Sequence, residues 1–291
     1  MINQQLSRFA THENSAYPQL WRGCVGAWCP SLGPSGAKVY DYSRRQFFGD
    51  VTNATLATAW AVDRGQYCVD LDGTDDRVDL SRATSLLQTH SRGAVSVWFN
   101  LDAIAVTNMI FSVNATAATG LSTVALYVNG DAGVNNIWMI AYLNNGGYYN
   151  NPADNSVVAA GAWYHVLLCQ NGGGPFIYLN GVRRATNNGP LPGTTTAPQW
   201  FSLLTNAADV SWGDYVSNGT RAGRFNGKVD DLRIYDRVPG PEEARLLATR
   251  RGIAFTPRTR ARATPEQAAG GATPWLYARR RSQIIGAGGV H

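Results

Sequence analysis

The stretch Ala94-Val95-Ser96-Val97-Trp98-Phe99 places Val95, Val97 and Phe99 on one side of an extended chain and smaller, polar or amphipathic residues on the other. A period of two is the mark of a strand with one face in a core. Short runs of this kind dominate the sequence as far as Tyr235. They are Gly23–Trp28, Gln66–Leu80, Ala94–Leu101, Met109–Val113, Thr123–Val128, Ile137–Leu143, Trp163–Gln170, Pro175–Leu179, Trp200–Leu204 and Phe225–Tyr235. Between them stand Asn129-Gly130, Asn145-Gly146-Gly147, Asn171–Gly174 and Asn180-Gly181, residues that accept positive φ and so close hairpins. Ten such runs with no helix among them predict an all-β chain built as two packed antiparallel sheets.

One helix is expected, Pro241–Arg251. Pro241 suits its first position, Glu242 and Glu243 complement the dipole, and Gly252 can close it. Its narrow stripe of Leu246, Leu247, Ala244 and Ala248 fits a sandwich edge.

Charge separates the body from its C-terminal end. Residues 250–291 carry eight Arg and one acid, a net +7, whereas the remainder is −2. Only Lys38 and Lys228 are lysines, so the body is not expected to bind nucleic acid. Charged residues make up 15% of the chain and aromatics 11%, a composition that favours a packed core over disorder. No apolar run reaches the roughly 18 residues of a membrane span. Residues 1–20 lack the apolar stretch of a secretory leader, so none is expected. Cys24, Cys29, Cys68 and Cys169 form no CxxC pair and no zinc-type cluster with His12, His90, His165 or His291. They are expected to be free thiols.

The predicted organisation is an N-terminal arm (1–20), a sandwich with its helix (21–251) and a basic C-terminal arm (252–291). Trp275, Leu276 and Tyr277, followed by Arg279, Arg280 and Arg281, give the last segment apolar anchors among charges. A polybasic arm can meet nucleic acid or an acidic surface. Apolar anchors favour docking onto a protein partner or a second copy of the chain.

Four segments carry a family resemblance: Leu71–Val78, Trp163-Tyr164-His165-Val166, Ile177-Tyr178-Leu179-Asn180-Gly181 and Phe225–Tyr235. In this order they resemble the LamG-like jelly roll of the concanavalin A-like lectin/glucanase superfamily, over about residues 22–250. The resemblance implies a curved two-sheet sandwich and a use, common in that superfamily, in binding glycans or proteins. LamG-like sandwiches with short basic C-terminal arms also resemble accessory proteins of tailed-bacteriophage virions. The leading expectation is accordingly a non-enzymatic virion protein (capsid decoration or cement, or a tail or fibre component) that contacts other virion proteins and forms homo-oligomers. The alternative is a bacterial carbohydrate-binding lectin or adhesion module, and the most remote is a glycan-cleaving enzyme.

Catalysis is not expected. Glycoside hydrolysis needs two carboxyl groups about 5–9 Å apart. The four Glu (13, 242, 243, 266) fall outside the predicted strands, and the adjacent pairs Asp75/Asp76 and Asp230/Asp231 would diverge on a strand. His165 reads as a strand histidine with a hydrogen-bond partner.

For calcium, which many LamG-like relatives hold at a sandwich edge, Asp41 and Asp230 are the candidates; Asp70-x-Asp72-Gly-Thr-Asp75-Asp76 resembles a cation loop but lacks the EF-hand pattern. Alternation puts Asp230 on the face of Leu232 and Ile234, so it is expected to be buried and satisfied by a partner or a cation. For a glycan, the candidates are Asn145, Tyr148, Tyr149 and Asn150, read as a loop whose rings and amides suit a sugar.

Overall fold

The computed structural model describes residues 12–105, 107–115, 123–130, 135–142, 148–152, 158–185, 189–190, 200–204, 206–217 and 219–258. The chain divides into two units, Met1–Pro257 and Arg258–His291, and the described strands belong to the first.

Two antiparallel sheets form a sandwich, as the alternation predicts. One sheet has the order β14 (Val182–Arg183), β13 (Pro175–Leu179), β12 (Trp163–Gln170), β7 (Gly93–Leu101), β19 (Asn226–Tyr235), β5 (Gln66–Asp72), β4 (Trp60–Asp63), with β1 (Cys24–Trp28) paired to the far stretch of β19. The other runs β15 (Gly189–Pro190), β11 (Tyr148–Pro152), β10 (Asn136–Tyr142), β9 (Thr123–Asn129), β8 (Thr107–Ala115), β16 (Ala207–Trp212), β6 (Arg77–Asp79), β3 (Gly49–Thr52), β2 (Lys38–Val39). A small hairpin, β17 (Tyr215–Ser217) and β18 (Thr220–Ala222), accompanies them. The predicted Asn180-Gly181 turn joins β13 to β14, with both residues at positive φ.

The core lies between the sheets. Val95, Val97, Phe99 and Leu101 of β7 meet Val113 of β8, Leu126 of β9, Met139 of β10 and Trp212 of β16, all buried. Burial at roughly 25 cal/mol per Å2 of apolar surface makes this the main source of stability. At each end of the β7–β19 pairing stands a glycine that no other residue can replace. A Cβ at Gly93 would come within 2.2 Å of the Tyr235 carbonyl oxygen, and one at Gly227 within 2.2 Å of that of Asn100.

A second apolar cluster covers the outer side of the eight-stranded sheet. Ala94, Leu167, Cys169, Tyr178 and Tyr235 are roofed by Leu20, Trp21, Ala244, Leu247, Ile253 and Phe255. The helix spans Pro241–Leu247 and does its expected work there, with Glu243 accepting a hydrogen bond from Gly240 N at 2.8 Å. Residues 12–20 and 252–257 therefore belong to the body and are not arms: Ala16 N donates to Thr256 O at 2.8 Å, and Ser15 bridges Pro257. Their apolar side chains finish a sheet face that would otherwise stand open to water.

Several strand assignments change. Gln66–Leu80 is two strands in different sheets, parted by the turn that holds Asp72–Asp76. Trp200–Leu204 forms a 3-10 turn at Phe201–Leu203 that buries Trp200, Phe201 and Leu204. Ala207–Trp212 is a strand outside the predicted set, although Asp209 and Ser211 alternate there with Val210 and Trp212.

Candidate functional site

Strand alternation gives the nine-stranded sheet a polar outer face. Val113, Val124, Leu126, Ile137, Met139, Val210 and Trp212 point into the core, so Ser112, Asn114, Thr123, Tyr127, Trp138, Asp209 and Ser211 turn outward. These residues are joined across four strands. Thr123 Oγ1 donates to Asn114 Oδ1 at 2.7 Å, and Asn114 Nδ2 donates to Asp209 Oδ1 at 2.8 Å. Arg221 of β18 binds both Asp209 and Asp214, the latter at 2.7 Å, and Arg224 reaches Asp214 Oδ2 at 2.7 Å. Ser112 Oγ donates to the Asp214 carbonyl at 2.7 Å. Burial pushes the Asp214 carboxyl up from its ordinary value, against the pull of Ser211 and the two guanidiniums. Each arginine keeps about a fifth of its side chain in solvent, 22% and 23%. The network fastens β17–β18 to the sheet and leaves planar donors at its margin.

Beside this network lies an aromatic pair. Trp138 and Tyr127 are cross-strand partners on β10 and β9 with ring centroids 6.2 Å apart. Both are half-buried, and Trp138 Nε1 has no hydrogen-bond partner among the described residues. Ser112, Asn114, Thr123 and Asp214 are sealed from water, so the groups open to a sugar here are the aromatic rings, which take its apolar face, and the arginines at the margin, which take its hydroxyls.

At the other end of the band, carboxylate oxygens of Asp72, Asp75 and Asp76 lie within 4.8 Å of one another. These side chains converge because the segment is a turn and not the strand the sequence suggested. Asp72 Oδ1 accepts from Thr74 N at 2.7 Å, and Asp76 Oδ2 from Asp72 N at 3.3 Å. Burial, then the charges of Asp72 and Asp75, hold the Asp76 carboxyl above its ordinary range. Arg224 bonds the Asp75 carbonyl at 3.5 Å, tying this turn to the Asp214 network. Three hard oxygen donors around one point fit a calcium-type cation, with the turn amides holding the remaining oxygens.

The two expected calcium ligands do other work. Asp41 is saturated: Oδ1 accepts from Ala27 N and Ser43 N, and Oδ2 from Ser43 Oγ and Phe47 N, each at 2.8 Å. Asp230 accepts from Ser31 N at 3.0 Å and Asp231 N at 2.7 Å, and Arg251 Nη1 lies 3.6 Å from its Oδ2. A cation would find donors at Asp41 and an arginine at Asp230. Asp230 is fully buried as expected, but not on the face of Leu232 and Ile234. A bulge between Asp230 and Arg233, with Asp231 at φ 46°, turns it to the opposite side.

Burial raises the Asp230 carboxyl to about 7, helped by the neighbouring Asp231 charge and opposed by Arg251. His165 is buried, shares a 2.9 Å hydrogen bond with Ser96 Oγ, and is driven down to about 3 by burial and the Arg233 charge. All four cysteines are free.

Of the expected glycan ligands, Tyr148, Tyr149 and Asn150 belong to strand β11 and not to a loop. In register they lie opposite Tyr142, Ala141 and Ile140 of β10, next to the strand that carries Trp138. Asn145 lies outside the described residues, as do Trp275, Leu276, Tyr277, Arg279, Arg280 and Arg281. Sequence reading missed Asp209, Asp214, Arg221 and Arg224, whose signal is the alternation in β16 and the two arginines in and just after the β17–β18 hairpin.

The family model for the concanavalin A-like lectin/glucanases superfamily, of the laminin G type, matches residues 72–245. Solved structures share the fold at low identity. The CBM40 of the Ruminococcus gnavus IT-sialidase, bound to α2,3-sialyllactose, is 16% identical with a TM-score of 0.52, covering 62% of this chain and 96% of that one. Domain 4 of AbnA, a GH43 extracellular arabinanase from Geobacillus stearothermophilus in complex with arabinotriose, is 17% identical with a TM-score of 0.54, covering 78% and 98%. A Trypanosoma rangeli sialidase is 15% identical with a TM-score of 0.54; the match covers 80% of this chain and 34% of that one. No curated protein matches the sequence.

Proposed function

The chain belongs to the concanavalin A-like lectin/glucanase superfamily, and from that membership we propose that its sandwich is a non-catalytic glycan-binding module. The observation that carries this reading is the outer face of the nine-stranded sheet, where the Tyr127–Trp138 pair adjoins the Thr123–Asn114–Asp209–Arg221 network. The named fold relatives supply support of a second kind: two of them were solved with an oligosaccharide bound.

A binding role fits the site better than hydrolysis does. Asp209 and Asp214 share Arg221, so a guanidinium stands between the two carboxylates of the face. A hydrolase needs one of its pair free to protonate a leaving group and the other free to act on the sugar or on water. Screening the protein against immobilised plant, bacterial and animal glycans tests the reading: retention of a glycan with no release of sugar supports it, and turnover of any glycan overturns it.

The basic C-terminal arm supports a further role, docking the module onto a larger assembly such as a virion or onto a second copy. That role rests on the net +5 of residues 258–291 (six Arg, one Glu) and the Trp275-Leu276-Tyr277 cluster alone.

A further inference from the structure

A cleft of about 380 Å3 opens on the opposite side of the sandwich, where residues 12–25 meet the turn after Asp41. Its lining includes His12, Trp21, Arg22, Arg44, Arg45 and Asp236. The His12 ring lies flat on the Trp21 indole, with centroids 3.9 Å apart and planes at 6°, and its Nε2 donates to the Tyr42 carbonyl at 2.9 Å. This stack makes one firm wall.

The three guanidiniums on the cleft have no carboxylate partner among the described residues. Arg82, Arg221, Arg224, Arg233, Arg237, Arg245 and Arg251 do sit against Asp or Glu, whereas Arg64, Arg77, Arg92, Arg183, Arg184 and Arg250 share the unpaired state without lining this cleft. Asp236 is the single acid among the described lining residues, against three arginines. Behind the wall lies Arg233, whose charge is paired with Asp231. Its guanidinium carbon lies 4.9 Å from the Trp21 ring, it is fully buried, and its Nη1 and Nη2 have no hydrogen-bond partner among the described residues. Burial, followed by the charges of Arg44 and Arg233, lowers the His12 pKa against the bond to Tyr42.

Residues 1–11 contain no acid; Glu13, next to His12, is the nearest acid in sequence on that side. Guanidiniums lining a concave surface can recognise oxyanions, because their planar N–H groups match the spacing of two oxygens.

We propose that this cleft binds an oxyanion, a carboxylate, sulfate or phosphate group, either as a free inorganic anion or borne by an acidic sugar. The guanidiniums of Arg22, Arg44 and Arg45 take the charge, and the His12–Trp21 stack shapes the wall beside it. The site is independent of the glycan face on the other sheet, and each can fail without the other.

The test is titration of the full chain with inorganic phosphate, inorganic sulfate, glucuronic acid and glucose, followed by calorimetry and by the NMR resonance of the His12 ring. Binding of phosphate or sulfate alone marks a free-anion site, and binding of glucuronic acid marks an acidic-sugar site. Both support the proposal if glucose is silent, His12 shifts and His165 does not. Arg44→Ala/Arg45→Ala removes two exposed side chains and is expected to keep the wild-type melting temperature while weakening binding at least about tenfold. No anion binding, anion binding that leaves His12 unmoved, equal affinity in the variant, or glucose binding as well as glucuronic acid overturns the proposal.

Discussion

Asp231 accepts a hydrogen bond from Arg233 Nε at 2.8 Å, and both side chains, two positions apart on β19, are sealed from water. The bulge at Asp231 makes this pairing possible by turning Asp230, Asp231 and Arg233 toward the roof of helix and terminal segments. Asp231 Oδ2 also takes Gly252 N at 2.9 Å, so the same carboxylate holds that roof in place.

Asp231→Ala is therefore expected to destabilise the protein more than Asp230→Ala, the reverse of what simple alternation on β19 implies. Losing Asp231 leaves Arg233 charged and unpaired in the interior, at a cost of about 3–5 kcal/mol. Losing Asp230 strands the Ser31 and Asp231 amides, at about 1–3 kcal/mol. Denaturant melts of the two variants decide it; equal midpoints would contradict the bulge.

The pH dependence of stability carries a signature of Asp230. Its carboxyl rises from an ordinary 3.8 to about 7 in the folded protein. Between those values the folded state holds a proton that the unfolded state has lost, so this group adds stability as pH falls from about 7 toward about 4. Asp230→Asn removes that contribution. The melting temperature of the wild type relative to Asp230→Asn should climb across this window as the solution is acidified, and a constant difference would place Asp230 in solvent.

Much of the fold is legible in the alternation. Ala94–Phe99 marks the body of β7, and Asn180-Gly181 marks the β13–β14 hairpin because few other pairs accept two positive φ values. A bulge cannot be read that way, since one extra residue leaves composition and local pattern unchanged while moving Asp230 to the other face. The site is less legible for a related reason. Asp72, Asp75 and Asp76 converge only because a turn interrupts what reads as one long strand, and Asp209, Arg221 and Asn114 come together only through the order of β18, β16 and β8.

Calcium is expected to raise the melting temperature through the Asp72–Asp75–Asp76 turn. Three carboxylates held within 4.8 Å repel one another, and a dication relieves that repulsion. Melts in calcium and in chelator should differ for the wild type and coincide for Asp75→Asn/Asp76→Asn. Asp41→Asn should retain the calcium shift, since its oxygens are filled by protein donors.

Truncation after Pro257 is expected to leave a folded, soluble sandwich, whereas truncation after Arg251 should destabilise it. Ile253, Ala254 and Phe255 are buried against Trp21, and Trp21 Nε1 donates to the Ala254 carbonyl at 3.0 Å. Thermal melts and gel filtration of the two truncations separate the cases. A sandwich that stays intact without residues 252–257 would show that this roof is dispensable.

That the outer face of the nine-stranded sheet holds a glycan is tested most directly by calorimetry of the wild type and Trp138→Ala with a glycan retained in the screen. The variant is expected to stay folded at the assay temperature and to bind at least about tenfold more weakly, because the half-buried ring supplies the sugar's apolar contact. Equal affinity in the two proteins would contradict a glycan site on this face and place any glycan elsewhere on the sandwich.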